Sequence, residues 1–262
     1  MSRYVELHAR SAFSFLRGAS SFEDLVAAAA RFELPAVALC DRDGVYGAPR
    51  FFNAARQTGV RALVGAEITL QDGSVLPLLA SSLVGYRNLC RLITETKLRP
   101  VAVGPDPDTD PSASAPSTGR KRPCFATWLE LARFSEGLVA LTGDEDGPVR
   151  RAWARDGESA AEDALQTLVD VFGHEHVHVE VQRRMTRGEE HGVQMLRRLA
   201  AAHGLPLLAT GGVDYATAEA REIADVFTCL RHHTTLDAAG RLLAPNAGRR
   251  LRDARAMYDL FR

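Results

Sequence analysis

At 262 residues, with 46% hydrophobic and 25% charged residues, the chain has an ordinary globular composition and can bury one barrel-sized core or two smaller ones. A formal net charge of −1 removes the basic footprint that tight nucleic-acid binding by this piece alone would carry, though not a place beside a DNA-binding partner. The opening MSRYVELHAR has no apolar core of signal-peptide length and no run reaches membrane-span length, so a cytoplasmic protein with no membrane partner is expected.

A first strand over residues 4–7 delivers His8 and Arg10 at its end. Ser20 or Ser21 is then an N-cap, with Glu23 and Asp24 three residues on as a capping box requires, and a helix follows over 22–32. Residues 36–40 are apolar throughout, as in a parallel strand buried on both faces, and end in Asp41-Arg42-Asp43-Gly44. A helix over 49–58 starts on Pro49 and stops at Gly59. Strand 62–70, carrying Glu67, turns at Gln71-Asp72-Gly73-Ser74 into strand 75–80, a hairpin signal. An amphipathic helix over 86–98 places Leu89, Leu92, Ile93 and Thr96 on one stripe.

Composition shifts over 100–123, where Pro, Ser, Thr, Asp and Gly predict an exposed, mobile loop. Its basic run Arg120-Lys121-Arg122 is short enough to read as a solvated tip. Order resumes with helix 126–134, strand 138–142 ending in Gly143-Asp144, helices over 149–155 and 159–172, strand 176–181, helix 189–203, strand 206–210 and helix 217–231. A final amphipathic turn includes Met257 and Phe261. Cys40, Cys90, Cys124 and Cys229 form no CxxC pair; Cys40 and Cys90 read as buried thiols in a reducing compartment. About seven strands, most followed by a helix, favour an α/β (β/α) barrel over a doubly wound sheet, and the hairpin makes it irregular.

The stretches YVELHARSAFSFLRGAS, AVALCDRDGVYGAPRF, LVGAEITL, GYRNLCRLIT and DVFTCLRHHTTLDAAGRLLAPN resemble the N-terminal PHP (polymerase and histidinol phosphatase) domain of bacterial DNA polymerase III alpha subunits, error-prone class. The resemblance runs from about Tyr4 to the C-terminus, with 100–123 outside it. It implies a distorted seven-stranded PHP-type barrel, taken as 1–230, with 231–262 an extension leading toward the palm domain. Active members hold two or three metal ions at the strand ends and hydrolyse phosphoesters. In some polymerases the domain is a proofreading exonuclease, and in many it is a platform.

Carried over by position, the resemblance implies a thinned ligand set. The family's His-x-His reads His8-Ala9-Arg10 here, and the acid that often follows is Arg17. Asp-His reads Asp41-Arg42, and the third-strand glutamate is kept as Glu67. A later His falls loosely on Lys97, the Cys or His after the next strand on Asp144, a further His on Arg183 or Arg184, and Asp-x-His on Gly212-Val213-Asp214. His8, Glu67, Asp144 and Asp214 are therefore the vestigial metal positions. Arginine cannot ligate a metal and stays charged. The expectation is that Arg10, Arg42 and Arg184 sit among Asp41, Asp43, Glu67, Asp144 and Asp214 and replace the metal charge with guanidinium–carboxylate pairs.

Other candidates are weaker. His232-His233 reads as surface; His174, His176 and His178 alternate and share a face without a matching carboxylate or Cys; Ser11 and Ser14 read as loop and cap residues. Two functions stay open. The first is a non-catalytic scaffold within a polymerase whose palm and fingers, or a separate polypeptide supplying them, perform damage-tolerant DNA synthesis with Mg²⁺. The second is a stand-alone metal-dependent PHP phosphoesterase. No cofactor is expected in this chain, with zinc or manganese only if the PHP site is active.

Overall fold

The computed structural model describes residues 4–99 and 124–262. The expected loop over 100–123 and its basic run lie outside the described residues. Seven strands form one sheet in chain order: β1 Glu6–Ala9, β2 Ala36–Arg42, β3 Arg61–Thr69, β4 Val75–Ala80, β5 Leu138–Leu141, β6 Val177–Gln182 and β7 Leu207–Thr210. Pairing is parallel except at β4, which runs antiparallel to both β3 and β5. The Asp72-Gly73 turn forces that reversal. Gly73 sits at φ +79°, which L side chains rarely adopt, and its N–H closes the turn on the Leu70 carbonyl at 2.9 Å.

The sheet curls until its ends meet. Just past β7, Val213 bridges Ala9 in parallel; Arg10 N–H donates to the Val213 carbonyl at 2.8 Å and Val213 N–H to that of His8 at 2.9 Å. The result is a nearly closed, irregular (β/α) barrel, as expected.

Helices wrap the outside: α1 Phe22–Arg31, α2 Ala48–Thr58, α3 Leu83–Leu98, α4 Trp128–Arg133, α5 Pro148–Asp156, α6 Glu158–Phe172, α7 Glu189–His203, α8 Arg221–Arg231, α9 Leu236–Ala239 and α10 Ala254–Leu260. Ser21 caps α1 in a full capping box with Asp24, and Thr127 does the same for α4 with Glu130. Two apolar clusters fill the space between helices and sheet. One joins Leu76, Leu78 and Leu138 to Leu165, Leu168 and Leu196; the other joins Val37 and Leu39 to Phe22, Leu25 and Phe51.

Some details differ from the sequence expectations. The last long helix starts at Arg221 because residues 217–220 form bends and a turn, and just before them Tyr215 pairs with Arg250. Asp214 and Leu251 N–H groups bond Arg249 and Tyr215 carbonyls at 2.9 and 3.1 Å, and Leu251 is fully buried, so residues 249–251 are stitched to the barrel wall. Cys40 is buried, but Cys90 is only half-buried. His174 and His176 fall in a 3₁₀ turn and only His178 is in β6, so the three do not share a strand face. No described helix is long and apolar enough to cross a membrane.

Candidate functional site

Polar residues on β1, β3 and β6 point into the barrel. His8 reaches Glu67 on β3 with Nε2 at 2.9 Å and Glu180 on β6 with Nδ1 at 2.8 Å, all three fully buried or nearly so. Neither carboxylate lies on a strand paired to β1, so the imidazole spans the interior. Burial alone would lower the His8 pKa. The Glu180 charge and hydrogen bond, with the bond to Glu67, outweigh it and push it up to about 10. His8 is therefore an imidazolium near neutrality, with both ring nitrogens engaged.

Sequence reasoning missed the groups that support it. Glu180 also accepts from Gln182 Nε2 at 2.6 Å and from the Thr210 hydroxyl. Burial raises the Glu180 carboxyl, but His8 and these donors hold it below the ordinary value. Buried Glu6 accepts from the Tyr4 hydroxyl at 2.6 Å, Gly211 N–H at 2.8 Å and His8 N–H at 2.9 Å. Desolvation still wins there, and the Glu6 carboxyl is raised. The alternation of Glu6 with Leu7 and of Glu180 with Val181 was the available signal; on a barrel strand it turns the charged residue inward.

Above this floor, Arg10 leaves the end of β1 and occupies the centre of the mouth. Its Nε and Nη2 donate to Glu67 Oε1 at 2.8 and 2.5 Å, Nη2 to Asp144 Oδ2 at 2.8 Å, and Nη1 to Asp214 Oδ1 at 2.7 Å. Arg42, at the end of β2, binds the other oxygen of Glu67 through Nε at 2.9 Å. Arg184, just past β6, contacts Asp144 at 3.5 Å and Glu145 at 2.7 Å. Arg249, from the segment beyond α9 and unforeseen in sequence, pairs with Glu145 and lies 3.4 Å from Asp214 and 3.6 Å from Asp144.

Burial opposes ionisation of Glu67 and Asp144. Arg10 and Arg42 beside Glu67, and Arg10, Arg184 and Arg249 beside Asp144, nonetheless hold both well below the usual carboxylate range. His8, Glu67, Asp144 and Asp214 thus converge with Arg10, Arg42 and Arg184.

Asp41 differs. Its oxygens accept from Ser11 N–H, Ser11 Oγ and Ser14 Oγ, each at 2.7 Å, and it makes no arginine pair among the described residues. Ser11 and Ser14 are therefore buried partners of Asp41, not merely loop residues, and they pin the 11–18 loop to the end of β2. Burial still leaves the Asp41 carboxyl raised. Asp43 binds Thr69 through N–H and hydroxyl at 2.8 Å each, again without an arginine partner among the described residues.

Of the remaining positions, Lys97 bonds the Tyr46 hydroxyl and Arg183 pairs with Glu190 at 2.7 Å, both away from the centre. Arg17 lines the mouth without joining the paired cluster. His232 and His233 are exposed.

The donor set decides what this centre holds. A multinuclear site needs several neutral imidazole and carboxylate donors around each ion. Here the imidazole is doubly paired, and a guanidinium sits where three carboxylates converge. Among the described residues no group of three or more His, Cys, Asp or Glu is placed to hold a metal ion. A dication does not fit the centre in this arrangement without displacing Arg10.

Comparison with known proteins agrees with the fold. A family model for the PHP domain matches residues 6–184. An error-prone DNA polymerase of Symbiobacterium thermophilum is 36% identical over 262 residues, covering 99% of this chain and 24% of that protein. One of Mycolicibacterium paratuberculosis is 37% identical over 268 residues, covering 98% and 23%. The chain thus spans about a quarter of the length of these relatives. Among solved structures, a candidate metal-dependent phosphoesterase from Bifidobacterium adolescentis has TM-score 0.54 at 16% identity, covering 100% of this chain and 96% of that one. An amidohydrolase from Chromobacterium violaceum with bound sulfate and no metal has TM-score 0.52 at 16% identity, covering 79% and 88%. At such identity these two share the fold and carry nothing further. The barrel with its polar strand ends, and a family match over more than half the residues, lead to one conclusion: this chain belongs to the PHP domain family.

Proposed function

We propose that this chain is the PHP region of an error-prone, DNA polymerase III alpha-like protein and serves there as a non-catalytic scaffold. DNA-directed DNA synthesis in damage-tolerant replication and repair belongs, on this reading, to palm and fingers domains elsewhere in the protein or on a separate polypeptide, which hold the Mg²⁺ and meet the DNA. The barrel, 1–230, gives those parts a rigid neighbour, and 231–262 leads toward them. The setting is the cytoplasm.

One observation carries the scaffold reading: the Arg10 guanidinium bonds Glu67, Asp144 and Asp214 at once, at 2.5–2.8 Å. A fixed organic cation there supplies the positive charge a metal would bring, without Lewis acidity or an open position for water. His8, Glu67, Asp144 and Asp214 are then vestigial metal positions, and Arg10, Arg42 and Arg184 the groups that replace the metal charge.

Metal analysis of the purified chain tests this. Zinc and manganese are expected well below one equivalent, with no phosphatase turnover on added Mn²⁺. Stoichiometric metal, or turnover abolished by Glu67→Gln, would overturn the scaffold reading in favour of a metal-dependent phosphoesterase.

A further inference from the structure

Residues 213–216 and 249–251 lie side by side at the seam of the barrel. Tyr215 pairs with Arg250, and the Asp214 and Leu251 N–H groups donate to the Arg249 and Tyr215 carbonyls. Tyr215, Ala216 and Leu251 are buried there. The chain between these stretches is therefore an excursion whose two ends meet at a firm base. It holds α8, α9 and a 3₁₀ turn over Gly240–Leu242.

The excursion is built unlike the rest of the helical layer. Helix α7 buries Val193, Met195, Leu196 and Leu199 against the barrel, whereas α8 buries Cys229 alone. From Thr217 to Ala244 only Cys229 and Ala239 are buried. Ile223, Val226 and Leu230 recur at helical spacing, yet they are 49%, 44% and 55% exposed. On its other side α8 turns Ala224, Thr228 and Arg231 toward a cavity of about 610 Å³ at the barrel mouth. One face meets solvent and the other meets the cavity. Neither supplies the apolar burial that fixes a helix in place.

Bonds inside the excursion make it one body. Arg221 donates Nη2 to the Ala244 carbonyl at 2.7 Å, joining its two ends, and Thr234 N–H bonds the Cys229 carbonyl at 3.0 Å where the chain leaves α8. Its tie to the barrel is a side-chain bond: Arg231, at the end of α8, donates Nη1 to the Leu16 carbonyl at 3.0 Å. A segment with few buried apolar contacts opens at a lower free energy than the core it rests on. Residues 217–220 and 243–244, outside any helix or strand, flank it as hinges.

We propose that residues 217–244 form a lid over the barrel mouth, opening as a unit about the base at 213–216 and 249–251 while the barrel stays folded. Closed, the lid walls one side of the cavity, and Arg231 latches it to the 11–18 loop. Open, it admits solutes to the paired charges around Arg10, Asp144 and Asp214. The lid goes beyond the scaffold reading and does not rest on it, because its motion is set by packing and not by chemistry in the barrel.

Cys229, on the underside of α8, reports the motion. The full chain is labelled with iodoacetamide in native buffer and each thiol is followed by peptide mass spectrometry. Cys40, fully buried in the β2 wall, is the internal reference for global unfolding. Cys229 should react at least about tenfold faster than Cys40, and Arg231→Gln should speed Cys229 roughly three- to tenfold while leaving Cys40 unchanged. Hydrogen exchange of the unmodified chain is the second measurement and needs no variant. The α8 amides should exchange at least about tenfold faster than those of β2 and β3, with the Leu251 amide staying as protected as the strands. Equal labelling of Cys229 and Cys40 would overturn the lid, as would unchanged Cys229 labelling in folded Arg231→Gln. So would strand-like protection of α8, or loss of protection at Leu251 together with α8.

Discussion

The centre and the rim of the barrel mouth are both built from arginine, and they behave as opposites. In the centre, Arg10, Arg42, Arg184 and Arg249 each meet carboxylates, and His8 is clasped by two. At the rim, Arg231 donates to the Leu16 carbonyl, and neither it nor Arg17 makes an ion pair with a described residue. A matched buried charge is part of the fold: removing one partner strands the others in low dielectric. A half-exposed charge without a partner contributes little to folding. Residue type is the same in both places; surroundings assign the role.

The largest expected effect breaks the centre. Arg10→Ala strands Glu67, Asp144 and Asp214 together, and should destabilise the protein by about 3–5 kcal/mol in urea denaturation. A loss below about 1 kcal/mol would mean that Arg42, Arg184 and Arg249 suffice to hold those carboxylates.

The next effect sharpens the comparison through pH. His8 has an ordinary value of 6.5 and a folded value of about 10. Between these the folded state binds more protons than the unfolded one, so stability is fully present below pH 6.5 and is lost as pH rises toward 10. The loss should be on the order of 4 kcal/mol, and His8→Gln should remove most of that slope. Parallel stability–pH curves for the two proteins would show that the imidazolium is not the group responsible. Glu67 and Asp144, held low, act in the other direction: their contribution is present above the unfolded carboxylate range and is lost as pH falls through their depressed folded values.

The smallest effect belongs to the rim. Arg17→Gln should change stability by no more than about 0.5 kcal/mol, and in the stabilising direction because it relieves crowding with Arg42 and Arg231. A large destabilisation would erase the distinction between rim and centre.

Local signals made most of the fold legible. The all-apolar run 36–40, the Ser21–Asp24 cap and the Asp72-Gly73 turn each act over a few residues, and each element formed within a few positions of its expected bounds. The resemblance identified His8, Glu67, Asp144 and Asp214 as one cluster, and they do converge. Their partners were harder to read. Glu180 meets His8 from 172 residues away, and Arg249 reaches Glu145 across 104. No periodicity links such pairs. Ser11 and Ser14 looked like loop residues because their acceptor, Asp41, lies on another strand.

The sequence by itself determined the barrel, because strand burial, caps and turns are set by neighbours along the chain. It also determined which positions carry cations where the resemblance implies ligands. Only the tertiary structure decided which of those cations are neutralised and which are left over. Charge pairing in a buried site depends on distance and dielectric, and both come into being only when the barrel closes.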